Sequence, residues 1–234
     1  MNAVLVSIGH NRAGPDSVQL AAALADAAGG AGRWLVEPFA VAPTPVAVDE
    51  PLDHLDGRRL IIDADLTGLQ LMLNRLMRRG WLESVETAVL PRQQVDYLNR
   101  IGLPRTAAGR LEAAVHGKPQ LVGVIKDDSG GVCVDYASVV GWKGTGNWWL
   151  RAVVDDQRLC DGPARSVRLR RLGPSELEAT VRLGRFGRKT LRGRSLQLAC
   201  DDALIEQDGV PRERPRTKRI FWSEPKLWNL VGVS

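Results

Sequence analysis

The segment IIDADLTGLQ, residues 61–70, decides how this chain is read. It begins as a buried strand, with Leu60, Ile61 and Ile62 consecutive and apolar. It ends as a helix, because LTGLQLMLNRLMRRG repeats leucine and methionine at helical spacing. Asp63, Ala64 and Asp65 lie between the two. A strand-to-helix turn is a common phosphate-holding device in α/β proteins, and that job normally calls for glycine. Here the turn carries two carboxylates and no glycine before Gly68.

Working outward, residues 3 to about 115 alternate strand with helix. AVLVSI is a short buried strand and GHNRAGP a turn. DSVQLAAALADAAGG is a helix, with Asp16 or Ser17 as N-cap and Gly29–Gly30 as its stop. RWLVEPFAV reads as a second strand, and APTPVAVDEPLDHLDG as an acidic, Pro-rich surface loop with a short helix. RRLIID and VETAVLP are further strands; QVDYLNRIG and RTAAGRLEAAVHG are further helices. Such alternation predicts a parallel sheet with helices on both faces.

After Lys118 the period changes. QLVGVIKDDSGGVCVDYASVV predicts a hairpin turning at Asp128–Gly131. Short β-type runs broken by Gly, Pro and Asp follow, so the second half reads as an antiparallel sandwich or barrel. The expected organisation is an α/β nucleotide-binding-like domain over 1–118 and a β-sandwich domain over 119–234, with the last strand free to return to the first domain.

The chain has 234 residues, a net charge of +5 and a sequence pI near 9.4. That length builds one large core or two small ones. The charge fits a nucleotide, an acidic lipid surface or nucleic acid, and selects none of them. The stretches RSVRLRRL and RLGRFGRKTLRGR put many cations on strands, where alternation makes one face basic. This suits a peripheral contact with an anionic lipid or membrane surface, and equally an ordinary solvated face. Nucleic acid is the least expected partner, and a homodimer is compatible with the chain.

Cys133, Cys160 and Cys200 lie far apart with no C-x-x-C pair, which predicts reduced, buried thiols and a cytoplasmic protein. MNAVLVSIGH reads as a first strand rather than a leader. No apolar run reaches the ~18 residues of a membrane-spanning helix. His10, His54 and His116 are dispersed without ligand spacing, and neither a Walker A nor a G-x-S-x-G motif is present. Trp148, Trp149 and Trp222 are read as core and interface.

The order of these motifs resembles the catalytic domain of the diacylglycerol kinase family, which includes bacterial lipid kinases and sphingosine kinases. The family's central Gly-Gly-Asp-Gly-Thr falls where this chain has DADLT, so Asp65 and Thr67 match while Asp63, Ala64 and Leu66 replace glycines. Further on, VLPRQQVDYLNRIGLP keeps Pro91, Asp96, Tyr97, Gly102, Leu103 and Pro104 of the family's second motif. Gln93, Gln94 and Val95 replace its Gly-Thr-x-Asn. EQDGVPRERP offers Asp208 and Gly209 of the family's Asp-Gly-Glu, and HNRAGP keeps Asn11 and Gly14 of its first turn. AAGRLEAAVHGKP and LWNLV also resemble the family's following helix and closing strand. GTGN, residues 144–147, copies a family tetrapeptide but lies in the β-half and is read as a turn.

The resemblance implies an ATP-dependent lipid kinase, a transferase moving a phosphoryl group from ATP to a lipid hydroxyl with Mg²⁺. It implies Asp208 as catalytic base. Asn11, Gly14, Asp65, Thr67, Gly68 and Asp96 would bind the nucleotide, and Asp63 and Asp65 the metal. The alternative is a non-catalytic pseudokinase that binds a ligand or a partner protein. The replaced glycines weigh toward that alternative. Ala64 and Leu66 put Cβ atoms where backbone must approach phosphate, and Asp63 adds a charge facing a polyphosphate. Two like charges at roughly 4 Å and an effective dielectric of 20 repel by about 4 kcal/mol. Each carboxylate also has an ordinary reading: Asp63 as the cap of the following helix, Asp96 as a helix N-terminal residue, Asp208 as a turn residue.

Overall fold

A computed structural model describes residues 2–9, 15–29, 34–93, 95–142, 146–212 and 214–232. Contacts divide the chain into two units, Met1–Val122 with Lys226–Ser234, and Gly123–Pro225. The boundary read at residue 118 falls just inside the first unit.

The first unit runs β1 (Asn2–Ile8), α1 (Pro15–Ala27), β2 (Leu35–Val41), a 3-10 turn at Pro51–His54, β3 (Arg59–Ala64), α2 (Leu66–Arg78), β4 (Thr87–Pro91), α3 (Asp96–Arg100) and α4 (Ala107–His116). The strands pair in the order β2-β1-β3-β4, all parallel. Alternate strand residues separate its faces. Ala3, Leu5, Ile61, Ala88 and Leu90 share a core with Leu24 of α1 and Val115 of α4. Helix α2 packs on β3, burying Leu69, Met72, Leu73 and Leu76, a stripe at i, i+3, i+4 and i+7. Helix α1 starts at Pro15, so Asp16 and Ser17 lie inside its first turn rather than capping it. Proline suits that first position because its missing N–H would have had no helical partner.

The second unit holds strands and no helix among its described residues. Its strands begin with β5 (Pro119–Asp127), β6 (Val132–Cys133), β7 (Tyr136–Gly141), β8 (Trp148–Val154) and β9 (Gln157–Ala164). They continue through β10 (Ser166–Arg171), β11 (Leu177–Leu183), β12 (Gly187–Gly193), β13 (Ser195–Gln207), β14 (Val210–Pro211) and β15 (Arg216–Val231). One path pairs β12-β11-β10-β7-β13-β15, and β8 joins β13 and β9. Strand β13 shifts register between Ala199 and Ala203, serving β8 before the shift and β7 after it. The core includes Leu150, Leu159, Val167, Leu169, Val181 and Phe221. Trp148 lies in that core, whereas Trp149 on the opposite face is exposed. Strands β5 and β15 enter and leave this unit. Within the first unit, Leu230 of β15 pairs with Thr87 of β4 in parallel, and Trp228 is wholly buried there.

The α/β portion followed by a largely antiparallel β portion is the fold class expected from the sequence. Cys133 and Cys160 are buried and Cys200 half-buried, and all three are free thiols. No helix among the described residues is long and apolar enough to cross a membrane.

Candidate functional site

In an open parallel sheet a ligand crevice forms beyond the carboxyl ends of the strands, where the strand order reverses. Here that point lies between β1 and β3, since β2 lies on one side of β1 and β3 on the other. Gly9 follows β1 at this edge. Asp63 and Ala64 close β3, and Asp65 starts the turn into α2.

Asp65, not Asp63, caps the helix. Its backbone is extended (φ −72°, ψ 178°), and its Oδ1 accepts the Gly68 N–H at 2.8 Å. That N–H belongs to the group of helix-start donors that a bound phosphate would use. Gly68 itself is closely packed. A Cβ there would sit 3.0 Å from the Ala64 Cβ and 3.0 Å from Ile8 Cγ2. The first glycine after the strand therefore lets α2 lie close on β1 and β3.

Asp63 belongs to β3 and faces Arg92, the residue just past β4. The Arg92 N–H donates to the Ala64 carbonyl at 3.0 Å, which fixes the base of its side chain at the crevice. Its guanidinium then reaches back: Nε donates to Asp63 Oδ1 at 3.0 Å and Nη2 to Oδ2 at 2.8 Å. A Cβ on Gly9 would stand 2.4 Å from Arg92 Nη1, so glycine there makes room for the guanidinium. Arg110 steadies the same edge, donating to the carbonyls of Pro104 (2.8 Å) and Pro91 (3.0 Å). Gly9, Arg92 and Arg110 were not singled out from the sequence. The signal available was an arginine directly after Pro91, just before the residues that replace the family's Gly-Thr-x-Asn.

Thr67 is exposed in the first turn of α2, and Asp96 is the exposed first residue of α3. Asp63, Asp65, Thr67, Gly68 and Asp96 thus share one edge of the sheet. Asn11 and Gly14 lie outside the described residues. Among the described residues no group of three or more His, Cys, Asp or Glu side chains gathers as a metal site.

Asp208 lies in the β unit. Gln207 pairs with Val210, leaving Asp208 (φ 49°) and Gly209 (φ 85°) as a two-residue hairpin turn with both φ values positive. The Asp208 side chain is 0% exposed and accepts the backbone N–H groups of Val134, Asp135 and Tyr136, the latter two at 3.0 Å. Burial pushes its carboxyl up to about 7, against the lowering effect of those three donors. Its oxygens tie the β13–β14 hairpin to the connection between β6 and β7.

No protein-family model and no curated protein matches this chain. Solved structures do. A diacylglycerol kinase from Bacillus anthracis str. Sterne aligns at TM-score 0.71 and 11% identity, over 99% of this chain and 96% of that one. An NAD kinase from Archaeoglobus fulgidus in complex with ATP aligns at 0.65 and 13%, over 100% and 94%. Yeast NADH kinase complexed with NADH aligns at 0.52 and 9%, over 98% and 83%. The chain therefore has the fold shared by diacylglycerol kinases and NAD kinases.

Proposed function

We propose that this chain is a non-catalytic binding protein built on the kinase fold, with its phosphate crevice closed to Mg²⁺–ATP. The observation that carries the reading is the two-pronged Arg92–Asp63 pair lying against Gly9. Both Asp63 oxygens carry N–H donors, Asp65 occupies a donor at the helix start, and the guanidinium takes the room that a glycine turn leaves for phosphate. Residues arranged in this way do not fit a Mg²⁺–ATP cradle. The chain in Archaeoglobus fulgidus NAD kinase is solved with ATP, so the fold itself accommodates the nucleotide. The difference lies in the site.

A second reading, phosphoryl transfer from ATP to a lipid or other hydroxyl, is favoured by the exposure of Asp65, Thr67 and Asp96 on that edge and by the 43% exposure of Arg92. It needs Arg92 to leave Asp63, and Asp208 to leave three N–H groups before it can stand ~2.6–3.2 Å from a hydroxyl.

Calorimetric titration of Mg²⁺–ATP tests the proposal. The native chain is expected to show no saturable binding at micromolar levels. Asp63→Gly with Ala64→Gly removes the carboxylate that engages Arg92 and a Cβ from the phosphate approach, so binding is expected to appear. Adding Arg92→Gln to that pair abolishes it again. Micromolar binding by the native chain, or transfer of labelled phosphate to a lipid hydroxyl, overturns the proposal in favour of the kinase reading.

A further inference from the structure

The outer face of β10, β11 and β12 carries cross-strand rungs of known composition. Glu178 stands opposite Arg192 and is also bonded by Arg170 at 2.7 Å. On the next rung Thr180 and Thr190 share a hydrogen bond of 3.0 Å. The rung nearest the hairpin tip sets Arg182 opposite Arg188. Like charges directly opposite on neighbouring strands repel. Arg165, which donates its N–H to the Arg182 carbonyl, and Arg185 in the turn join them around a recess of about 310 Å³. None of these four arginines has an ion-pair partner among the described residues. In the same turn Phe186 is 88% exposed, with the Arg185 guanidinium 5.2 Å from its ring.

We infer that the β11–β12 tip docks peripherally on an anionic lipid bilayer. A cluster of arginines without carboxylate partners is complementary to lipid phosphates. An exposed aromatic ring beside the cations suits the boundary between headgroups and acyl chains. A nucleic-acid strand is a poorer fit. Tracking it takes successive aromatic platforms along a basic groove, whereas this tip offers one ring and cations converging on one recess. Strand β12 ends its sheet path, so the tip is not covered by a further strand of that path. The inference does not depend on how the β1–β3 crevice is read.

The test is co-sedimentation of the intact protein with phosphatidylcholine vesicles, with and without phosphatidylserine, at low and high salt. The expected result is binding to the phosphatidylserine vesicles only, weakened by salt. Each arginine near such a surface strengthens binding about fivefold, so Arg182→Gln, Arg185→Gln and Arg188→Gln together lower it about a hundredfold. Phe186→Ser lowers it about tenfold through lost apolar burial. That side chain is exposed, so its variant keeps the native melting temperature. Equal binding by native protein and Phe186→Ser, no binding to phosphatidylserine vesicles, or complete displacement by a single-stranded oligonucleotide overturns the inference.

Discussion

Arg92 holds Asp63 through two parallel hydrogen bonds, Nε to Oδ1 at 3.0 Å and Nη2 to Oδ2 at 2.8 Å. The pair joins the residue just past β4 to the end of β3, at the carboxyl edge of the parallel sheet. Asp63 is not an isolated charge turned toward a polyphosphate. It is half of a neutral pair, and the guanidinium fills the space.

The pair is only partly shielded from water, with Asp63 17% and Arg92 43% exposed. Exposed pairs contribute about 0–1 kcal/mol. A double-mutant cycle with Asp63→Asn and Arg92→Gln, read by urea unfolding, is expected to give a coupling of about 1 kcal/mol or less. A larger coupling would mean that the pair organises the fold as well as the crevice.

Gly68→Ala places a methyl 3.0 Å from both Ala64 and Ile8. Overpacking of this kind costs about 1–3 kcal/mol, against a small gain in helix propensity. The variant is expected to melt lower than the native chain. An unchanged or raised melting temperature would show that α2 can shift away from the sheet at little cost.

Asp208 makes stability depend on pH. Its folded value of about 7 lies above the ordinary 3.8 because burial disfavours the charge. Between those two values the folded chain holds a proton that the unfolded chain has released. Stability therefore falls as pH rises from near 3.8 to about 7 and levels off above. Chemical unfolding across this range should show the slope, and Asp208→Asn, neutral throughout, should flatten it. A slope that survives in the variant would assign it to another group.

Arg171 is fully buried in the β unit and bridges the strands by which the chain enters and leaves it. Nη1 donates to the Val124 carbonyl at 2.6 Å and the Glu224 carbonyl at 3.4 Å, and Nη2 donates to the carbonyl of Pro174. Arg171→Met keeps much of the volume but removes the donors, and each buried carbonyl left without one costs about 1–3 kcal/mol. The expected loss is about 3 kcal/mol or more in equilibrium unfolding. A neutral result would mean that water replaces the guanidinium.

Trp228 is fully buried in the first unit, and its Nε1–H donates to the Thr87 hydroxyl, which in turn donates to the Asn229 carbonyl at 2.9 Å. Trp228→Ala opens a cavity in that core. Losses of about 3–5 kcal/mol are usual for such a truncation. Differential scanning calorimetry should show the drop; a small one would mean that the closing strand contributes little to this core.

The elements that were legible in the sequence are those fixed by local chemistry. Leu60–Ile62 is apolar throughout because β3 is buried on both faces, and the leucines and methionines of α2 recur on the one face it buries. The turn Asp208–Gly209 is set by two residues that tolerate positive φ. The change from helical to strand period after Lys118 announced the β portion, and basic alternation on β10–β12 announced its charged face. The cap of α2 was misplaced by two residues. Asp63 and Asp65 are equivalent as caps on paper, and only the backbone path, which keeps Asp63 in β3, decides between them.

What the sequence determined by itself is therefore the set of elements and the faces they bury, because periodicity and turn preference act over a few neighbouring residues. Partners distant along the chain were decided only by the tertiary structure. Arg92 meets Asp63 across 29 positions, Asp208 meets Val134 across 74, and Trp228 meets Thr87 across 141. No local pattern encodes such pairings. They follow from which strands lie side by side and from how deeply each carboxylate is removed from water. Those two conditions separate Asp63, paired at a crevice, from Asp208, sealed inside a β core.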